Sequence, residues 1–226
     1  MQPGSAAALF ALSFLFCPAI VACSATADPV DSTGLGDDED EDWGTGGGGT
    51  APPSCTYPSG AYGVQLGAIA NPSLSWQGYP DNRSDPASIE VGSYLDCDGT
   101  KGINALLVIQ SATWCGACQE EAAELGAKVA NGWGAKGIHV LTLMIENGSS
   151  QPATIDTALA WKDQFKLETA VAADPGMSFV GQGSGEIGLP VEVVLDPRTM
   201  TIVDRQEGYS GYYPSLEQLA AKNAGP

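Results

Sequence analysis

Ile103-Asn104-Ala105-Leu106-Leu107-Val108-Ile109-Gln110, running on through Ser111 into Ala112-Thr113-Trp114-Cys115-Gly116-Ala117-Cys118, is the stretch that decides the fold. Its first eight residues are nearly all apolar, as expected for a strand covered on both faces. From Cys115 the period changes. Cys118, Ala122, Leu125 and Val129 recur at three- and four-residue spacing, so residues 115–130 read as a helix. The two cysteines therefore stand where a buried strand gives way to a helix N-terminus. The first backbone N–H groups of a helix have no partner within it, and together with the helix dipole they favour a negative charge. A thiolate at the first cysteine is stabilised there, and the thiolate is the species that attacks a disulfide. The second sulfur, three residues on, is near enough to close a ring. The same spacing also serves as half of a zinc site. That alternative lacks ligands, because His139 is the only histidine and falls inside an apolar run. No metal and no separate cofactor are expected, since a redox-active disulfide fills that place.

Downstream, Ile138–Ile145 reads as a second buried strand. Ile155, Ala158, Leu159 and Phe165 mark a second helix, with Thr154 as its N-cap and Asp156 in its first turn. Glu192–Leu195 and Thr201–Arg205 flank Asp196-Pro197-Arg198-Thr199, which predicts a hairpin. Ser215–Lys222 closes the chain as a short helix, with Ser215 and Gln218 at capping-box spacing. The order β-α-β-α, then a hairpin and a helix, requires parallel and antiparallel pairs in one sheet. The expected class is α/β, a central mixed β-sheet flanked by helices. Residues 55–98 are rich in Gly, Pro, Ser and aromatics and show no helical period. They read as an irregular N-terminal extension of short strands and turns.

The first 22 residues carry no charge and contain the apolar run Ala6–Phe16, too short to span a bilayer but suited to a signal peptide. Ile20-Val21-Ala22-Cys23 resembles the lipobox of bacterial lipoproteins, which makes Cys23 the expected lipidation site and residue one of the mature chain. No Lys or Arg precedes the apolar run, a departure from that pattern. Cleavage near Ala25-Thr26-Ala27, or a different start codon, are the alternatives. The expected location is exported, on the periplasmic or cell-surface side, with a lipid anchor to a membrane. Residues 23–54 read as a flexible linker, with Asp37-Asp38-Glu39-Asp40-Glu41-Asp42, Gly46–Gly49 and Pro52-Pro53. An acidic run without turn geometry is a solvated spacer rather than a calcium site. A coil of this length reaches roughly 30 Å. The remaining segment, 55–226, carries 19 acids and all 9 bases. A formal charge of −18 for the chain argues against a nucleic-acid partner.

Ala112-Thr113-Trp114-Cys115-Gly116-Ala117-Cys118 resembles the active-site run of thioredoxin-like redoxins, and the exported TlpA/ResA-type thiol–disulfide oxidoreductases most of all. The resemblance spans roughly Gly67–Lys222. Gly67-Ala68-Ile69-Ala70-Asn71-Pro72-Ser73-Leu74 is similar to the N-terminal segment of that subgroup, with one extra residue before the proline. Gly188-Leu189-Pro190-Val191-Glu192-Val193-Val194-Leu195-Asp196 resembles its cis-proline segment and following strand. The helix around 154–166 matches its insertion.

The resemblance implies a thioredoxin-like fold, with Cys115 as exposed nucleophile and Cys118 as resolving thiol. It also implies a cis Pro190 packed against the disulfide, leaving the backbone of Leu189 open to a substrate segment. Trp114, Gly116 and Ala117 would flank the site. Glu121 falls where the subgroup places an acid, on the Cys118 side of the helix, and reads either as a proton-transfer group or as a solvated first-turn acid. Cysteine-containing substrate proteins and a redox partner are the implied partners. Three positions depart from the pattern: Gly116-Ala117 where many relatives carry Gly-Pro, Ala123 where a proline is common, and Ile109 where minimal thioredoxins carry a buried aspartate.

Cys55 and Cys97 read as a structural disulfide, with Cys97 as a second redox partner of the dithiol the alternative. Two other functions compete with thiol–disulfide exchange. A peroxiredoxin-like peroxidase needs Ser or Thr three residues before its cysteine, where Ala112 stands. A non-enzymatic surface lipoprotein would use the fold as a binding or assembly module.

Overall fold

Strands β3 (Ala105–Ala112) and β4 (Ile138–Glu146) form the middle of the sheet, paired in parallel with Leu107 opposite Val140. The structure is a computed structural model that describes residues 55–181 and 187–225. The signal-peptide and linker readings, Cys23 included, lie outside the described residues. Within them the sheet has seven strands in the order β2-β1-β5-β4-β3-β6-β7. Strand β5 (Ala170–Ala173) continues the parallel set beside β4. The hairpin β6 (Val191–Asp196) and β7 (Thr201–Glu207) adds antiparallel strands beside β3. At the other edge β1 (Ser75–Tyr79) pairs antiparallel with both β5 and β2 (Ala87–Glu90). The sheet is mixed, as the order of sequence patterns requires.

The unbroken apolar runs of β3 and β4 are explained by two cores, one on each face. Leu107, Ile109, Val140, Met144 and Val171 face helices α1 (Gly116–Lys128), α2 (Ile155–Phe165) and α3 (Pro214–Asn223). Leu106, Val108, Leu141, Leu143 and Val193 face the other way, against Trp76, Ile89, Val91, Tyr94 and Leu95 of the N-terminal extension and Phe179. All three helices thus pack on one face, and the irregular extension serves as the cover of the other. Burying a Leu or Ile side chain stabilises by about 1.5–3 kcal/mol, so a strand lined on both sides draws roughly twice the gain of an edge strand.

Helix α2 begins as its sequence predicts. Thr154 caps it, accepting from the Thr157 N–H at 3.4 Å, while the Thr157 hydroxyl accepts from the Thr154 N–H at 3.1 Å. Helix α3 differs from expectation. Pro214 occupies its first turn and the cap is Tyr213, so Ser215 lies inside the helix and no side chain caps it. Proline has no N–H to satisfy and its φ is already helical, which shifts the start one residue earlier. After α1 the chain turns tightly at Gly137 (φ 70°), where an added Cβ would meet the Gly102 carbonyl oxygen at 2.2 Å. This glycine lets the backbone approach closely enough for Ala105 to pair with Ile138. His139, expected inside a buried strand, is part-exposed on β4, with Nδ1 3.0 Å from Asp81 Oδ2.

Candidate active site at the head of helix α1

The link from β3 to α1 is fixed to the end of β4. The Thr113 N–H and hydroxyl both donate to the Glu146 carbonyl at 3.1 Å, and Trp114 Nε1 donates to Glu146 Oε2 at 2.7 Å. Gln119 Nε2 reaches back to the Thr113 carbonyl at 2.7 Å. Cys115 is held between these anchors as the N-cap of α1, and its Sγ accepts from the Cys118 N–H at 3.2 Å. A free helix N–H therefore points at the sulfur that would carry charge. Cys115 and Cys118 are joined by a disulfide, with their Cα atoms 5.3 Å apart.

Cys118 is wholly buried, while Cys115 is 6% exposed. The expectation of an exposed Cys115 is corrected to this extent: it is the more open of the pair, yet nearly covered, because it belongs to the helix-side core. Trp114 stands half-exposed beside it, Gly116 is exposed and Ala117 is partly so. The Leu189–Pro190 peptide bond is cis. Val191 pairs with Gln110 at the C-terminal end of β3, so Leu189 and Pro190 come to the same end of the sheet as the dithiol. The Gly188 N–H donates to Glu207 Oε2 at 2.9 Å and the Pro190 carbonyl accepts from the Gly208 N–H at 2.8 Å, tying this segment to β7.

Glu121 is not a solvated acid. It is 1% exposed, on the buried side of α1 with Cys118, Ala122 and Leu125. Its Oε1 accepts from the Tyr213 hydroxyl at 2.7 Å. Next to it lies Glu192, also 1% exposed, which residue-by-residue reading of the sequence did not single out. Glu192 is opposite Ile109 in the β3–β6 ladder, so its side chain emerges on the helix face of the sheet. Gln206 Nε2 donates to Glu192 Oε2, while Glu192 Oε1 is buried without a donor. Burial, then repulsion from Glu192, push the Glu121 carboxyl well above the ordinary carboxyl range. Burial also raises Glu192, and it raises the Tyr213 hydroxyl, helped by the two carboxyls. A lone acid in the apolar run Val191–Leu195 was the available signal for Glu192, whereas no local spacing linked Tyr213 to Glu121.

Cys55 and Cys97 are joined to each other, with Cα atoms 5.6 Å apart. Cys97 packs against the opposite core, the one formed by the extension. Among the described residues no group of three or more His, Cys, Asp or Glu is placed to hold a metal ion, and no helix is long and apolar enough to cross a membrane.

No family model matches the sequence, and no curated protein matches it. Solved structures do. The reduced 2-Cys peroxiredoxin of Plasmodium vivax matches with a TM-score of 0.50 at 11% identity, over 70% of this chain and 94% of that one. An uncharacterized conserved protein of Geobacillus kaustophilus matches with a TM-score of 0.50 at 12% identity, over 72% and 86%. A Chlorobium tepidum chain assigned as the thiol:disulfide interchange protein DsbE matches with a TM-score of 0.49 at 19% identity, over 72% and 99%. At these identities the likeness is one of fold. With a mixed sheet, a strand that leads directly into a disulfide-bearing helix, and a cis proline at the same sheet end, this chain has the thioredoxin fold.

Proposed function

We propose that the chain is an exported thiol–disulfide oxidoreductase in which Cys115 attacks and Cys118 resolves. The observation that carries this reading is the Cys115–Cys118 disulfide at the head of α1, with the Cys118 N–H directed at Cys115 Sγ. In the reduced protein that N–H and the helix dipole favour a Cys115 thiolate. The thiolate attacks a substrate disulfide, forming a mixed disulfide and expelling one substrate thiolate. Cys118 then attacks Cys115, restoring the internal disulfide and releasing the second substrate sulfur. Run in reverse, the same steps donate a disulfide, and the reduction potential relative to the compartment selects the direction. The resemblance to TlpA/ResA-type proteins favours the reducing direction.

Export and tethering through Cys23 belong to this proposal. Supporting them are the uncharged apolar leader, the lipobox-like Ile20–Cys23 and a second disulfide, Cys55–Cys97, of the kind that persists in an oxidising compartment. The peroxidase alternative finds no support at the site, because Ala112, three residues before Cys115, is a buried residue without a hydroxyl. Insulin reduction by the purified protein tests the proposal, with Cys115→Ser as control. Wild-type protein that neither reduces nor oxidises any dithiol substrate would leave the binding-module reading in its place.

A further inference from the structure

We propose that Glu121 and Glu192 hold one proton between them and act as a single proton acceptor for Cys118, with Glu192 as the residue that positions that proton. This inference rests on the exchange reading above. Cys118 has no exposed surface, so the proton it must lose before attacking cannot pass straight to water. One turn along the same buried side of α1 stands Glu121, in contact with Glu192 from β6. Two carboxylates in contact and out of water cannot both stay charged. Glu192 Oε1 is buried and lacks a hydrogen-bond donor. A proton on Glu121 gives that oxygen the partner it lacks, and the Tyr213 hydroxyl and the Gln206 amide fix the remaining oxygens of the two carboxyls.

The other charged and titratable groups facing the pair are few. On α1 Lys128 favours the charged form of Glu121, although it is also paired with Glu124 at 3.3 Å. Asp204 on β7 opposes a charge on Glu192, and Tyr209 and Tyr213 close the site from the segment before α3. Nothing in this set neutralises two carboxylates.

The Cys118 S–H bond breaks and its sulfur attacks Cys115 of the mixed disulfide. The Cys115–Cys118 bond forms, and the substrate sulfur leaves as a thiolate with the bonding pair. The proton enters the carboxyl pair, which goes from one proton to two, and the buried charge falls from −1 to 0. When a partner dithiol later reduces Cys115–Cys118, the departing Cys118 sulfur takes that proton back. The pair thereby does from α1 and β6 what Ile109 in β3 has no group to do.

The test uses the full chain with 13C-labelled glutamate. In the reduced protein, the Glu121 and Glu192 carboxyl carbons should titrate in two separated steps, at least one far above the ordinary acid range. Glu192→Gln should leave Glu121 with one step, displaced downward by about one pH unit or more. In the wild type, the rate at which Cys118 releases a small aromatic thiol from a mixed disulfide on Cys115 should rise through the lower of the two steps, where the pair drops from two protons to one, and in Glu192→Gln it should move to the single Glu121 step. A role for Glu192 in packing alone would lower stability without moving that profile. Ordinary acid titration of both carboxyls in the wild type overturns the proposal without need of any variant, and so does an unmoved profile in Glu192→Gln. Should Glu192→Gln not fold, Tyr213→Phe replaces it, and there too an unmoved release profile overturns the shared-proton unit. If no mixed disulfide forms on Cys115 at all, the exchange reading fails, whereas the carboxyl titration still decides whether the proton is shared.

Discussion

Cys115 and Cys118 are the same residue type in different surroundings, and those surroundings assign their work. The first caps a helix and accepts an N–H at 3.2 Å, while the second is sealed in the core. Cys118→Ser should therefore trap mixed disulfides on Cys115, seen as a mass increase on incubation with a disulfide substrate, whereas Cys115→Ser should trap none and lose turnover altogether. The neighbouring carboxyls make a second prediction, on stability. Glu121 and Glu192 are raised in the folded protein, so folded chain binds more protons than unfolded chain between the unfolded value near 4.5 and their raised values. Their contribution is fully present below that unfolded value and declines as pH rises through the window. Denaturation midpoints should fall from mildly acidic to alkaline pH, and Glu121→Gln should flatten that decline.

At the scale of elements, the structure shows where a local pattern suffices and where pairing decides. The α2 cap is local, and Thr154→Ala should cost about 1 kcal/mol in a denaturant titration. Strand β5, Ala-Val-Ala-Ala, is too short and too alanine-rich to stand out, and it exists because β4 and β1 pair with its two edges. Gly78 on β1 permits that closeness, since an added Cβ would lie 2.4 Å from the Val171 carbonyl oxygen and 2.5 Å from Ala172 Cα. Gly78→Ala should destabilise the fold by about 1–3 kcal/mol, with faster amide exchange concentrated in β1 and β5. The hairpin β6–β7 was legible because Asp196-Pro197-Arg198-Thr199 breaks two β-rich runs. In the folded chain Arg198 ties that turn to Asp96, with Nη1 3.0 Å from Oδ2, which no local pattern announced.

Across the described residues, the sheet has a helical face and a face covered by the extension that precedes β3. The Cys55–Cys97 disulfide joins the beginning of that cover to the approach to β3. In the chain-entropy view, a loop of this length stabilises by at most about 4 kcal/mol. The double variant Cys55→Ala with Cys97→Ala should melt at a lower temperature yet keep its rate of insulin reduction. A lost rate in well-folded variant protein would instead give Cys97 the redox role.

By itself, the sequence determined the α/β class, the mixed sheet and the place of the dithiol, because those follow from short-range periodicity and from the meeting of an apolar run with a helix. Local spacing also put Glu121 on the Cys118 side of α1. Tertiary structure decided the rest of the site. Only the β3–β6 register sets Glu192 opposite Ile109 and beside Glu121, and only the path into α3 brings the Tyr213 hydroxyl to them. Burial turned Glu121 from a surface acid into half of a carboxyl pair, since the tendency of a carboxyl to ionise depends on the water and charge around it, and residues distant in the chain supply both.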